Sequence, residues 1–237
     1  MGGRVGSITT EIIADGLVFN MDPANRASYV PDATINKNTI NLSQTGSLEN
    51  DTSFINSPPS WEFDGSDESI KVEDSAALRM TEEITISCFF KKTTKNGYHH
   101  IISKFPASGN CSWVMFTEIT SGNLSFQSST DGNNPGNFAE VTGDLCDGNW
   151  HYGAASYIVA DGIVNFVIDG THTAVSYNRG LYPGNTYMGI GERPSVGNYW
   201  PGNVGNVHIY NRALSVNEML HNYNALKGRF GLWNLDQ

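Results

Sequence analysis

The sequence has little charge: 16% of its 237 residues are Asp, Glu, Lys or Arg, and they sum to a formal net charge of −10. No stretch clusters Lys and Arg as binding to a phosphate backbone requires, so nucleic acid is not an expected partner. The densest basic group, Lys91-Lys92 with Lys95, reads as the solvated end of a strand. No apolar run approaches the ~20 residues of a membrane span. The opening residues Met1–Ser7 lack the apolar core of a signal peptide, and residue 6 is Gly where a myristoylation signal needs Ser or Thr. The chain is therefore expected to be made in the cytoplasm, with no span and no visible export signal. Cysteine is scarce: Cys88, Cys111 and Cys146, with no C-x-x-C pair. Cys88 is in phase with Ile84, Ile86 and Phe90 and reads as a small buried hydrophobe. A Cys111–Cys146 bridge stays open, with reduced thiols the preferred reading. A chain of this length can bury a sufficient core without a disulfide or a metal, so no cofactor is required for folding.

What is abundant is turn chemistry. The 25 glycines, with many Asn, Ser and Thr, suit many strands joined by many turns. Strands are expected over Gly16–Met21, Trp61–Ser66, Ser69–Val72, Glu83–Phe90, His99–Lys104, Cys111–Phe116 and Gly122–Ser128. Residues 31–60 read as polar and irregular, with Pro58-Pro59 marking a loop or an edge. The clearest rhythm is Trp150–Val159, Ile163–Ile168 and Thr171–Tyr177, separated by Asp161-Gly162 and Asp169-Gly170. That reads as a three-stranded meander with type I′ turns. Tyr187–Gly191 and Gly202–Tyr210 are the last strands. One helix follows: Ser215 and Glu218 form a capping box, and Leu214 and Met219 form a hydrophobic staple. Val216, Met219, Leu220, Tyr223 and Leu226 give one apolar face, and Gly228 is placed as the C′ residue. Such a helix is expected to plug an end or side of the sandwich.

Four segments in order resemble the laminin G-like members of the concanavalin A-like lectin/glucanase superfamily. They are Phe63-Asp-Gly-Ser-Asp-Glu-Ser-Ile70, Asp147-Gly-Asn-Trp-His-Tyr152, Asn165-Phe-Val-Ile-Asp-Gly170 and Gly205-Asn-Val-His-Ile-Tyr-Asn-Arg-Ala-Leu-Ser215. The implied fold is all-β: a concanavalin A-like jelly-roll sandwich of two antiparallel sheets with one short C-terminal helix. The implied organisation is an N-terminal arm (1–13), a jelly roll (14–230) and a C-terminal tail (231–237). The ends, Gly2-Gly-Arg-Val5, Asp15-Gly-Leu-Val-Phe19, Asp22–Tyr29 and Tyr223–Phe230, resemble laminin G-like structural proteins of tailed bacteriophages. That resemblance implies a non-enzymatic structural or decoration protein of the virion, on capsid or tail. Its partners would be other virion proteins, a host surface glycan and further copies of itself. The alternative is a carbohydrate-binding, lectin-like module, with a glycoside hydrolase behind it.

Three chemistries can be placed on residues. Paired acids for glycoside hydrolysis would need a pattern close to Glu62, Asp64 and Asp67, but Gly65 breaks the strand there and Asp64-Gly65 reads as a turn. His99 and His100 point to opposite faces of their strand, so at most one enters any site. Calcium would take oxygen ligands from Asp64, Asp67 and Asn206, the last at the position where the family often has an acid. Sugar binding would use an aromatic platform beside amides: Tyr199 and Trp200 from one loop, and Asp131, Asn133, Asn134 and Asn137 from another. Tyr182 and Trp113 are secondary candidates, and Trp61 and Trp150 are assigned to the core.

Overall fold

The computed structural model describes residues 12–29 and 34–232. Within them the strands are β1 (Leu17–Met21), β2 (Ile35–Lys37), β3 (Thr45–Glu49), β4 (Ser53–Asn56), β5 (Pro59–Asp64), β6 (Ser69–Val72), β7 (Glu83–Lys92) and β8 (His99–Ser103). They continue as β9 (Trp113–Thr117), β10 (Leu124–Ser128), β11 (Ala139–Val141), β12 (Trp150–Ile158), β13 (Ile163–Ile168), β14 (Thr171–Ser176), β15 (Met188–Ile190) and β16 (Pro201–Tyr210). Helix α1 (Val216–Leu226) follows. All pairings are antiparallel. One sheet runs β14-β13-β12-β7-β16-β5-β4, with β1 also on β16; the other runs β11-β10-β9-β8-β15-β6-β3-β2. The expected two-sheet sandwich with a single C-terminal helix is what forms.

Period-2 alternation explains the layering. On β7, Ile84, Ile86, Cys88 and Phe90 face the second sheet, where Ile70, Val72, Trp113, Met115, Leu124 and Phe126 meet them in one core. The intervening Phe89 points the other way. It joins Tyr152, Val167 and Tyr210 in a separate cluster that carries Met219, Tyr223 and Leu226 of α1. The helix thus covers the outer face of the first sheet rather than plugging an end. The Ser215–Glu218 capping box forms as expected. Gly228 is not the helix stop: a 3-10 turn, Lys227–Phe230, follows α1, and Gly231 takes the left-handed conformation at φ 76°. The extra turn lays Phe230 flat on Phe89, with ring centroids 4.2 Å apart.

Residues 31–60 depart most from expectation. Three short strands form there, and Pro59 begins β5, paired with Asn56 on the edge strand β4. The Ser57–Pro58 peptide is cis. Polar side chains rather than apolar alternation order this region. Asn38 Oδ1 accepts from the Asn20 amide, and Asn38 Nδ2 donates to Val18 O and Gln44 Oε1. The meander is as read, but only its second turn is a two-residue type I′, with positive φ at both Asp169 and Gly170. The first is longer, because β12 and β13 pair from Ile158 and Ile163 and only Gly162 has positive φ. Cys88, Cys111 and Cys146 are free and buried. Of the 1–13 arm, residues 1–11 lie outside the described residues. Ile12 is buried under α1, and the Ile13 amide donates to Asn222 Oδ1. Leu232, in the 231–237 tail, packs on the same cluster.

The meander also holds a charge device. His151 Nδ1 lies 2.6 Å from Asp169 Oδ2, and Nε2 lies 3.0 Å from Asp147 Oδ1. Burial pulls the imidazole pKa down, but Asp169 first and then Asp147 more than offset this, and it ends above its usual value. A raised folded pKa stabilises below about pH 6.5, the unfolded value, and that contribution is lost as pH climbs through the folded pKa. Asp169→Asn keeps a residue that tolerates positive φ while removing the charge. Urea midpoints at pH 6 and pH 9 should show the wild type losing more stability over that interval than the variant.

Candidate functional site

Among the described residues, the outer face of the second sheet, unlike that of the first, carries no helix. Its floor follows from register. His100 of β8 is opposite Phe116 of β9, and Val114 of β9 is opposite Gln127 of β10. Cross-strand partners share a face, so His100, Phe116, Val114 and Gln127 all point outward. The Phe116 ring stacks on His100 at 5.6 Å and meets Phe138 and Tyr98 edge-on at 5.3 and 6.0 Å. These aromatics form the base of a cavity of about 260 Å³.

Two loops wall it. One supplies Asn134 and Gly136, and the other Arg193 and Asn198. The first is self-ordered: Asp131 Oδ1 accepts from the Asn133 amide, Asn134 Oδ1 from the Gly136 amide, and Ser129 Oγ donates to Asn133 O. Gln127 Nε2 ties it to the sheet through Asn134 Oδ1 and Asn137 O. The second closes through paired backbone bonds between Arg193 and Gly197, and the His100 amide donates to Asn198 O. Asn198 takes φ 52° there, a conformation Asn adopts more readily than most residues.

The electrostatics are one-sided. Arg193 Nε and Nη2 donate to Phe105 O and Pro106 O, both at 2.9 Å, with the guanidinium 5.7 Å from the Phe105 ring centroid. Burial, then the charges of Arg193 and His99, hold the His100 pKa well below its usual value. It is a neutral ring, with Nδ1 3.1 Å from Ser103 Oγ. No Asp or Glu is among the described residues that line the groove.

The sequence-derived candidates are spread over several places. Asn134 is in the groove wall. Asp131, Asn133 and Asn134 border an adjacent depression of about 240 Å³ with Arg179, and Arg179 Nε donates to Asn137 Oδ1. Trp200 is not a platform: it is fully buried in the inter-sheet core. Tyr199, its neighbour, is half-buried over Gly197 and does not line the groove. Trp113 is likewise core, whereas Trp150 is partly buried against Phe230. The calcium candidates do not converge. Asp64 ends β5 and Asp67 sits on the turn after it, where the Ser66 amide holds the Asp64 carboxyl below its usual pKa. Asn206 is buried in mid-strand on β16, where Pro201, not Asn206, is opposite Asp64. Five residues of strand separate them, roughly 16 Å. Among the described residues no group of three or more His, Cys, Asp or Glu could hold a metal. Of the histidine pair, one does enter the site, His100. Tyr98, Phe105, Phe116, Gln127, Phe138 and Arg193 are site residues the sequence reading did not select.

A family model described as the concanavalin A-like lectin/glucanases superfamily, laminin G type, matches residues 64–219. No curated protein sequence matches the chain. Among solved structures, the binding domain of Paraclostridial mosquitocidal protein 1 aligns at TM-score 0.68 and 14% identity, covering 89% of this chain and 52% of that one. A botulinum neurotoxin type C structure, described through dependence of cell entry on two ganglioside molecules, aligns at TM-score 0.65 and 14% identity, covering 90% and 51%. A botulinum neurotoxin DC binding domain in complex with rat synaptotagmin II aligns at TM-score 0.61 and 12% identity, covering 93% and 52%. The chain spans about half the length of these structures, and at such identities they share its fold. On the family match, which covers most of its length, the chain belongs to the laminin G-like family of the concanavalin A-like lectin/glucanase superfamily.

Proposed function

We propose that the groove on the outer face of the second sheet binds carbohydrate and that the protein is a lectin-like binding module rather than an enzyme. The observation that carries this reading is the lining itself: an aromatic base of Tyr98, Phe116 and Phe138, flanked by the amides of Gln127, Asn134 and Asn198. Sugar C–H faces pack on rings, while hydroxyls need fixed donors and acceptors. The volume is near the lower bound of small-molecule sites, ~300 Å³, which suits a terminal sugar more than the interior of a long chain. Two-carboxylate hydrolysis requires acids across the bond being cut. The sequence-level candidates Glu62, Asp64 and Asp67 belong to β5 and its turn, in the other sheet, away from this lining. The ganglioside and synaptotagmin of the neurotoxin structures make a glycan or protein ligand a reasonable class to test first.

Tyr98 is 43% exposed, so Tyr98→Ala should change stability by no more than about 0.5 kcal/mol. It should weaken binding to whichever glycan an array identifies by roughly tenfold or more. Wild-type protein that binds no glycan, with or without calcium, would remove the proposal.

The expectation of a virion-mounted protein, assembled with other virion proteins, rests on the resemblance of the chain ends. Among the described residues two of those segments meet: Arg229 Nη1 donates to Asp22 Oδ2 at 2.8 Å. Mass spectrometry of purified phage particles tests this second proposal, and absence of the protein from intact particles would reject it.

A further inference from the structure

We propose that the groove's ligand carries a carboxylate, as a terminal uronic or sialic acid does, and that Arg193 is its anchor. This rests on the reading of the groove as a carbohydrate site. Three observations carry it.

Several buried or partly buried cations hold a carboxylate, and Arg193 does not. Arg212 meets Glu218, Arg229 meets Asp22 and Lys104 meets Asp74. Arg193 is half-buried and has no carboxylate within ion-pair distance among the described residues. Two carbonyls take its Nε and one Nη2 proton, and Nη1 donates to nothing among the described residues. A guanidinium drawn partly out of water gains most from an anion that arrives with the ligand, and its planar fork fits a carboxylate.

The surroundings add no competing charge. Among the described residues no acid lines the groove and His100 stays neutral, so Arg193 is the one fixed charge they place there. On a chain of net charge −10, that makes the groove a local positive site in an acidic molecule.

Free donors stand nearby. The Asn134 Nδ2 group and the Asn198 side-chain amide make no hydrogen bond within the described protein, and both line the same cavity as Arg193. A sugar's hydroxyls can meet them while its ring lies on the aromatic base.

The test is calorimetric titration with two versions of one oligosaccharide, ending either in the free acid or in its carboxamide. Wild-type protein should bind the acid roughly tenfold or more tightly, and Arg193→Gln should erase the difference. Arg193 also tethers Phe105 and Pro106, so a second variant guards against misfolding. Asn198→Asp sets a negative charge in the same wall and should weaken the acid ligand several-fold more than the carboxamide, which loses only the Asn198 donor. Equal affinity for acid and carboxamide, abolished by Tyr98→Ala, would overturn the carboxylate assignment and leave the carbohydrate site standing. Retained discrimination in Arg193→Gln would overturn the anchor. Binding of neither compound, nor of any neutral glycan, would overturn both readings.

Discussion

Trp200→Ala is expected to destabilise the protein strongly, not to disarm it. The indole is fully buried, edge-on to Phe90 at a centroid distance of 5.7 Å, with Lys92 Nζ 4.9 Å from its ring centroid. Lys92 is itself buried, and burial lowers its pKa to about 8. Its ammonium donates to Thr117 Oγ1 at 2.7 Å. Truncating a buried Trp removes transfer free energy and leaves a cavity, together about 3–5 kcal/mol. Here the void would also border an ammonium that has lost its aromatic partner. Urea denaturation should show that loss, while glycan affinity measured on the folded fraction stays unchanged. Unaltered stability with abolished binding would return Trp200 to the site and reject the burial argument.

Gly202→Ala should be at least as damaging, for a reason visible only in three dimensions. Gly202 sits inside the first sheet, paired with Lys92 of β7 on one side and Phe63 of β5 on the other. Its φ is 155°, and a Cβ would fall well inside contact distance of the Lys91 carbonyl oxygen. No side-chain rotation relieves a clash with backbone in a paired strand, so β16 and β7 would have to separate. The expected cost is about 4 kcal/mol or more, enough to threaten a typical domain's stability of ~5–15 kcal/mol. Gly109→Ala is the matching control, because nothing lies within 4 Å of a Cβ there although φ is also positive. Thermal unfolding of the two variants should separate steric overlap from backbone strain. A Gly202→Ala protein that melted like Gly109→Ala would show that β16 shifts at little cost.

The architecture was legible where burial is one-sided or turn chemistry is explicit. The β7 alternation, the β12–β14 meander and the Ser215 capping box each announce themselves, because one physical requirement fixes each pattern. The 35–56 strands do not, since Asn38 and Gln44 order them through buried polar bonds that leave no apolar period. The groove was half legible. Its loops were found, because Asn and Gly cluster where the backbone must turn through positive φ. Its base was not, because Phe116 and Met115 are both buried and apolar although they face opposite sides of β9. Alternation cannot tell outside from inside when both faces are covered. Tyr199-Trp200 shows the complementary error: the richest aromatic pair on a loop drew the binding assignment, yet Trp200 enters the core and Tyr199 stays outside the groove. Arg193 belongs to no periodic pattern, and only its place in the groove wall, without a carboxylate partner, marks it.

The layer order has a practical corollary. Ile12 and Leu232 both pack on the helix side, two sheets away from Arg193 and Tyr98. A tether joined beside either residue would hold the groove outward, leaving its aperture unobstructed. If the proposed glycan reading holds, each copy would offer this groove once, so firm attachment to a sugar-bearing surface would come from many copies displayed together, each contributing a weak grip that becomes strong only in number.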